Sequence, residues 1–155
     1  MAELGSKAPE FSLVDTTRTV RTLAEFAGRK TVLAFFPAAF TGACTKEMCT
    51  FQDSLADLNG LDAHVVGISV DGPFANAEFA AKNKLDFPLL SDYKGEIVRS
   101  YDVVLENFAG LDGYTTAQRA VFVLDADGVI RYKWVAENPG IEPDYSAVKD
   151  ALGAL

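Results

Sequence analysis

Thr31-Val32-Leu33-Ala34-Phe35-Phe36-Pro37-Ala38-Ala39-Phe40-Thr41-Gly42-Ala43-Cys44-Thr45-Lys46-Glu47-Met48-Cys49-Thr50-Phe51 is the stretch on which the fold turns. Its first six residues are almost continuously apolar, the pattern of a strand covered on both faces. Pro37 stops that run, because it has no N–H to give to a ladder. From Cys44 the apolar residues recur at Met48, Phe51, Leu55 and Leu58, a helical stripe. The stretch therefore reads as a buried strand, a turn, and a helix that opens at or just before Cys44.

Outward from this unit the pattern repeats. Residues 64–70, His64-Val65-Val66-Gly67-Ile68-Ser69-Val70, form a second apolar run, and 120–124 form a third. Asp125-Ala126-Asp127-Gly128 supplies turn chemistry, and 129–135 follow as a partner strand, a hairpin at the sheet's end. Upstream, 11–14 and 19–23 suit a smaller hairpin. Further helices are expected over 74–84, with Pro73 near the first turn, over 94–101 and over 145–152. Strand and helix alternate, then a hairpin and a closing helix follow, which argues for an α/β domain of three layers, α/β/α, around a central mixed sheet. Residues 105–118, with Gly110, Asp112 and Gly113, make the longest expected loop. No repeat or linker divides the chain, so residues 1–155 are expected to form a single domain.

Composition narrows the function. With 49% hydrophobic and 23% charged residues the chain is ordinary globular material, and its net charge of -8 repels nucleic acid and anionic membranes. Neither is an expected partner. The opening Met1-Ala2-Glu3-Leu4-Gly5-Ser6-Lys7 lacks the basic and apolar regions of a signal peptide, and no apolar run reaches membrane-spanning length. The expected compartment is the cytosol, where thiols stay reduced. Two cysteines there point to catalysis, metal binding or inert core before a structural bridge. With His64 as the single histidine they cannot complete a tetrahedral zinc site, and His64 reads as a strand residue.

A cysteine at a helix start lies among unpaired backbone N–H groups and the positive end of the helix dipole. Both favour the thiolate, the nucleophilic form. Cys44 is equally compatible with being the first apolar residue of the stripe. The Thr41 hydroxyl can cap the helix or hydrogen-bond the sulfur and an incoming oxygen, and one hydroxyl has sites for both. Pro37 can end the strand or shield the sulfur. Glu47, one turn after Cys44, can complement the dipole.

Pro37-Ala38-Ala39-Phe40-Thr41-Gly42-Ala43-Cys44 resembles the P-x-x-x-T-x-x-C signature of the peroxiredoxins. Arg119, opening the run 120–124, is similar to the arginine that this family places beside its peroxidatic sulfur. The resemblance extends from Gly5-Ser6-Lys7-Ala8-Pro9-Glu10-Phe11-Ser12-Leu13 through Asp86-Phe87-Pro88-Leu89-Leu90-Ser91-Asp92 to Arg119-Ala120-Val121-Phe122-Val123-Leu124-Asp125. Phe40 to Cys44, Glu47 and the compact C-terminus look most like the AhpE-type branch, with the bacterioferritin-comigratory (PrxQ) branch as near neighbour.

The resemblance implies a thioredoxin-like fold and a thiol-dependent peroxidase. Cys44 is the implied nucleophile, with Thr41, Arg119 and Pro37 around it and Glu47 as a group that can orient Arg119. Cys49, at C-x-x-x-x-C spacing, is the implied resolving cysteine; its alternative is a small buried hydrophobe, with an external thiol resolving the enzyme instead. The implied chemistry needs no metal, flavin or haem, because sulfur carries the electrons. The implied partners are a peroxide, a thiol reductant (a thioredoxin, a glutaredoxin or a small thiol) and a second copy in a homodimer. A thioredoxin-like thiol–disulfide exchanger is the competing enzyme, and the absence of C-x-x-C counts against it. A holdase-like module on the same fold is the non-enzymatic alternative.

Five residues along a regular helix mean a Cα–Cα distance of roughly 8.7 Å. A disulfide accepts at most about 7 Å. Closing Cys44 to Cys49 is therefore expected to require unwinding of the first turn.

Overall fold

A computed structural model of the chain describes residues 2–155. The chain begins with β1 (Ser12–Val14), β2 (Val20–Thr22), a 3-10 turn at Leu23–Phe26 and β3 (Lys30–Phe35). Helices α1 (Gly42–Asp53) and α2 (Leu55–Gly60) lead to β4 (Ala63–Ser69), α3 (Pro73–Lys82), β5 (Leu89–Ser91) and α4 (Glu96–Ser100). Then come β6 (Val104–Leu105), a 3-10 turn at Phe108–Gly110, β7 (Thr116–Ala117), β8 (Ala120–Leu124), β9 (Ile130–Val135) and α5 (Tyr145–Gly153).

Seven strands form one mixed sheet in the order β2-β1-β5-β4-β3-β8-β9. β3, β4 and β5 are parallel, and β8 joins β3 antiparallel. Side chains alternate along β3, as strand geometry dictates. Leu33 and Phe35 enter an apolar layer with Ile68, Tyr101, Phe122 and Val98 of α4. Val32, Ala34 and Phe36 enter the opposite layer with Met48 and Phe51 of α1, Leu58 of α2, Phe79 of α3 and Val148 of α5. This is the α/β/α sandwich around a mixed sheet that the alternating pattern predicts. Gly67 in β4 lets the second layer close: a Cβ there would meet Leu89 Cδ2 at 2.5 Å and Met48 Sδ at 3.4 Å. The absent side chain is what makes room for Leu89 of β5 beneath α1.

Three expectations are refined. The helix predicted from Cys44 to Leu58 breaks at Ser54, a residue with weak helix preference. β5 was not legible because its three residues are buried on both faces and show no period. The 105–118 loop is stapled at its base, where β6 and β7 pair Leu105 with Thr116. His64 is a half-buried strand residue, its ring edge-on to Phe26 at 5.4 Å. No helix among the described residues is long and apolar enough to cross a membrane.

Candidate active site

The antiparallel register of β3 and β8 pairs Phe35 with Ala120. Arg119 directly precedes β8 and Phe36 directly follows β3, at the same end of this pairing. The chain leaves the sheet after Phe35 for Cys44, so the sheet register brings Arg119 to the same end of the sheet as the start of α1.

Pro37 and Ala38 are buried under the turn that follows. Phe40 takes the left-handed conformation, φ 68°, and lays its ring edge-on to Phe79 at 5.2 Å. That backbone state costs about 1 kcal/mol or more for a residue with a Cβ. Thr41 is the N-cap residue by backbone, but its hydroxyl does not cap the helix; it donates to the Ala38 carbonyl at 2.9 Å. The first intrahelical bond runs from Thr45 N–H to the Thr41 carbonyl at 2.9 Å. The N–H groups of Gly42, Ala43 and Cys44 therefore have no partner within the helix.

Arg119 Nη2 donates to Cys44 Sγ at 3.2 Å and to the Pro139 carbonyl at 2.7 Å, and Nη1 donates to Glu47 Oε1 at 2.8 Å. Arg119, Glu47 and Cys44 are all buried, at 1%, 0% and 0% exposure. A guanidinium bond to sulfur is strongest when the sulfur is an anion. Glu47 thus braces Arg119 in addition to lying in the first turns of α1. Its other oxygen, Oε2, has no hydrogen-bond partner among the described residues. Burial pushes the Glu47 carboxyl up to about 8 against the pull of Arg119. Burial works against the Arg119 cation, yet Glu47 and Cys44 hold its pKa above the ordinary value.

The segment 137–143 closes the site from the side. Its Pro139 carbonyl holds Arg119, and its Glu142 pairs with Lys46 on α1 at 3.1 Å. Sequence reading missed Pro139 because its contribution is a backbone carbonyl, which no side-chain pattern signals. Cys49 lies on the same helix but away from this cluster, half-buried, its sulfur 3.6 Å from Asn83 Oδ1. Both thiols are free. Cys44 has no exposed surface.

The structure brings Cys44, Thr41, Pro37, Glu47 and Arg119 to one place and leaves Cys49 outside it. Such an arrangement can hold an anionic sulfur, present backbone and guanidinium donors to a developing oxyanion, and exclude water.

Comparisons with known proteins identify the family. The AhpC/TSA family profile matches residues 4–133. Alkyl hydroperoxide reductase E of Mycobacterium bovis is 37% identical over 158 residues, covering 100% of this chain and 99% of that protein. Chloroplastic peroxiredoxin Q of Oryza sativa subsp. japonica is 39% identical over 128 residues, 83% of this chain. The chain spans only 57% of that relative's length. Among solved structures, peroxidoxin BcpB of Mycobacterium tuberculosis superposes with a TM-score of 0.88 at 30% identity, covering 100% of this chain and 99% of that one. Xanthomonas campestris peroxiredoxin Q gives 0.81 at 29% identity, covering 93% and 90%. The fold, the cluster around Cys44 and these likenesses lead to one statement: the chain belongs to the AhpC/TSA family, and it is a peroxiredoxin.

Proposed function

We propose that this chain is a thiol-dependent peroxidase in which Cys44 reduces hydrogen peroxide or organic hydroperoxides. The observation that carries the reading is the 3.2 Å bond from Arg119 to Cys44 Sγ, made by a buried guanidinium braced on Glu47. The Cys44 thiolate attacks the terminal peroxide oxygen; an S–O bond forms as the O–O bond breaks. Sulfur loses two electrons, and an alkoxide or hydroxide departs and takes up a proton. Arg119 and the Ala43 and Cys44 N–H groups face the charge that grows on the leaving oxygen, and Arg119 stays cationic at any working pH. Thr41, whose hydrogen is committed to Ala38, offers lone pairs to the peroxide O–H. Pro37 is buried at the strand end and brings no N–H to compete.

The resulting sulfenic acid condenses with a thiol to a disulfide and water, and a second thiol returns Cys44 to its reduced form. Cys49 is the proposed resolving thiol, and a thioredoxin, glutaredoxin or small thiol is the reductant. The alternative, resolution by an external thiol, has its own support: Cys49 faces Asn83 rather than Cys44 in the folded helix. Assembly as a homodimer and work in the cytosol complete the proposal. The dimer rests on the likeness to AhpE-type proteins. The cytosol rests on the redox state that the cycle needs.

Mass spectrometry of the reduced protein after one equivalent of peroxide tests the reading. Loss of two hydrogens identifies the Cys44–Cys49 disulfide, and gain of one oxygen on Cys44 identifies a sulfenic acid awaiting an external thiol. A protein with neither change is not a peroxidase of this kind.

A further inference from the structure

We propose that Asp71 is a positioning residue for peroxide reduction, acting on Thr41 through the Ala38–Ala39 peptide. Asp71 lies just beyond β4. Its Oδ2 accepts the Ala39 N–H at 2.8 Å and the Ser69 hydroxyl at 2.8 Å. Ser69 is itself held: its oxygen accepts from Asn76 Nδ2 at 3.2 Å, and the same amide donates to Ser91 Oγ at 3.2 Å. Ser69, Asn76 and Ser91 are all buried. The ends of β4 and β5 and the first turns of α3 thus converge on one carboxylate oxygen, and that oxygen meets the backbone of the peroxidatic turn.

The Ala38–Ala39 peptide unit is planar and trans, so its N–H and C=O point in opposite directions and turn together. Asp71 fixes the N–H side. The C=O side is the acceptor for the Thr41 hydroxyl, at 2.9 Å. A hydroxyl has one hydrogen and two acceptor sites. With its hydrogen pinned on Ala38, Thr41 turns toward a peroxide as an acceptor only. Released from Asp71, the peptide plane can rotate, and the Thr41 hydrogen becomes free to donate to the sulfur it should leave alone.

Charge does not explain Asp71 here. A carboxylate near an anionic nucleophile is electrostatically unhelpful, and the nearby Tyr114 phenol, pushed up first by burial, also feels both Asp71 and Cys44. Geometry is the contribution that remains. An amide oxygen in place of Oδ2 would accept the same two donors, so Asp71→Asn should preserve the function and Asp71→Ala should not.

The inference rests on the role given to Thr41 above, and the test separates the two. Oxidation of Cys44 by hydrogen peroxide is followed by stopped flow, and alkylation of Cys44 by iodoacetamide is followed by peptide mass. Both are measured in the parent, Asp71→Ala, Asp71→Asn, Thr41→Val and the Asp71→Ala/Thr41→Val double variant. Misplacing one reacting partner is costly, so Asp71→Ala should slow oxidation about tenfold or more. Alkylation needs the thiolate but not the Thr41 acceptor, and should hold its rate. Asp71→Asn should oxidise within about threefold of the parent, the scale of a hydrogen bond kept rather than lost. In the Thr41→Val background Asp71→Ala should add less than about twofold, because the two residues act as one unit.

A full tenfold effect that persists without the Thr41 hydroxyl overturns the inference. So does a loss of alkylation that matches the loss of oxidation, or an Asp71→Asn protein as slow as Asp71→Ala. If Thr41→Val oxidises at the parent rate, the Thr41 role fails and takes the inference with it. If Thr41→Val is slow and Asp71→Ala is not, only the Asp71 inference fails. Should Asp71→Ala not fold, Asp71→Ser, too short to reach the Ala39 N–H, takes its place with the same outcomes.

Discussion

Cys44 and Cys49 sit five residues apart on one helix and inhabit opposite surroundings. That interval rotates a side chain by about 140° around the helix. Cys44 is fully buried, at the end where backbone N–H groups are unpaired, with Arg119 on its sulfur. Cys49 is half-buried a turn further on, within the helix, and its sulfur lies against the Asn83 amide oxygen. Residue type is identical, so the difference in surroundings belongs to position: in the proposed mechanism, the helix end and the cation make Cys44 the nucleophile.

The largest effect should come from removing that nucleophile. Cys44→Ser is expected to abolish peroxide reduction, and Cys49→Ser to leave the first oxidation rate of Cys44 nearly unchanged. Stopped-flow traces with hydrogen peroxide read both. A Cys44→Ser protein with normal turnover would erase the contrast between the two thiols.

Next in size is the cation. Losing a donor aimed at a developing oxyanion costs on the order of 100-fold or more in rate. Arg119→Ala should therefore slow oxidation at least that much. Arg131→Ala should not, since Arg131 is half-exposed and pairs with Asp125 at 2.8 Å on the far hairpin. Equal rates for the two variants would show that a helix end suffices and that Arg119 only fills space.

Cys44 and Arg119 differ in how the sequence makes them visible. Cys44, Thr41 and Pro37 are local to one strand-turn-helix unit, so their meeting follows from secondary structure. Arg119 is 75 residues from Cys44. Without the family resemblance it reads as a surface or ion-pair arginine, and the pairing of Phe35 with Ala120 accounts for its place. Glu47 is legible as a dipole complement and, through the resemblance, as a group that can orient Arg119; its bond to Arg119 depends on the same register. Asp71 and the Pro139 carbonyl were not legible, because each acts on or through backbone groups whose direction no sequence pattern encodes. The sheet's long strands are legible to within one residue, whereas β5 and the break at Ser54 are not, because three residues carry no period and one serine carries no signal.

Glu47 offers a smaller effect that sharpens the account of the Cys44 environment. Its carboxyl, ordinarily near 4.5, is raised to about 8 by burial, with Arg119 opposing. A raised carboxyl contributes stability that is fully present below its unfolded value and is lost as pH rises through its folded one. Glu47→Gln keeps an oxygen for Arg119 Nη1 and removes the ionisation. From pH 4.5 to pH 8 the parent should thus lose on the order of a few kcal/mol relative to Glu47→Gln. Urea midpoints for both proteins at the two ends of that range check the sign. Parallel pH profiles would mean that Glu47 is already ionised and fully paired with Arg119. The oxidation rate at pH 7 should change little, because the guanidinium keeps its bonds to the sulfur and to Pro139.

The most confined effect concerns how the two surroundings are joined. Both cysteines lie within α1, where regular geometry sets their Cα atoms roughly 8.7 Å apart, beyond the limit of about 7 Å for a disulfide. If Cys49 resolves the sulfenic acid, the start of α1 must unwind. That end is the least costly part to open, since its N–H groups make few helical bonds. The far end is held: Gln52 Nε2 donates to Asp86 Oδ2 at 2.9 Å, and the Asp86 N–H donates to Gln52 Oε1 at 2.7 Å. Unwinding should therefore run from Gly42 toward Cys49 and stop before Gln52. On oxidation by peroxide, amide exchange should speed up over residues 44–49, while protection from Phe51 to Leu58 stays as in the reduced protein. Opening also carries Cys44 away from Arg119 and from the free N–H groups, so peroxide reduction and resolution must alternate between two conformations of one turn. A Cys44–Cys49 disulfide with an unchanged exchange pattern would break this geometric argument. Absence of the disulfide would make Cys49 a core residue and leave resolution to an external thiol.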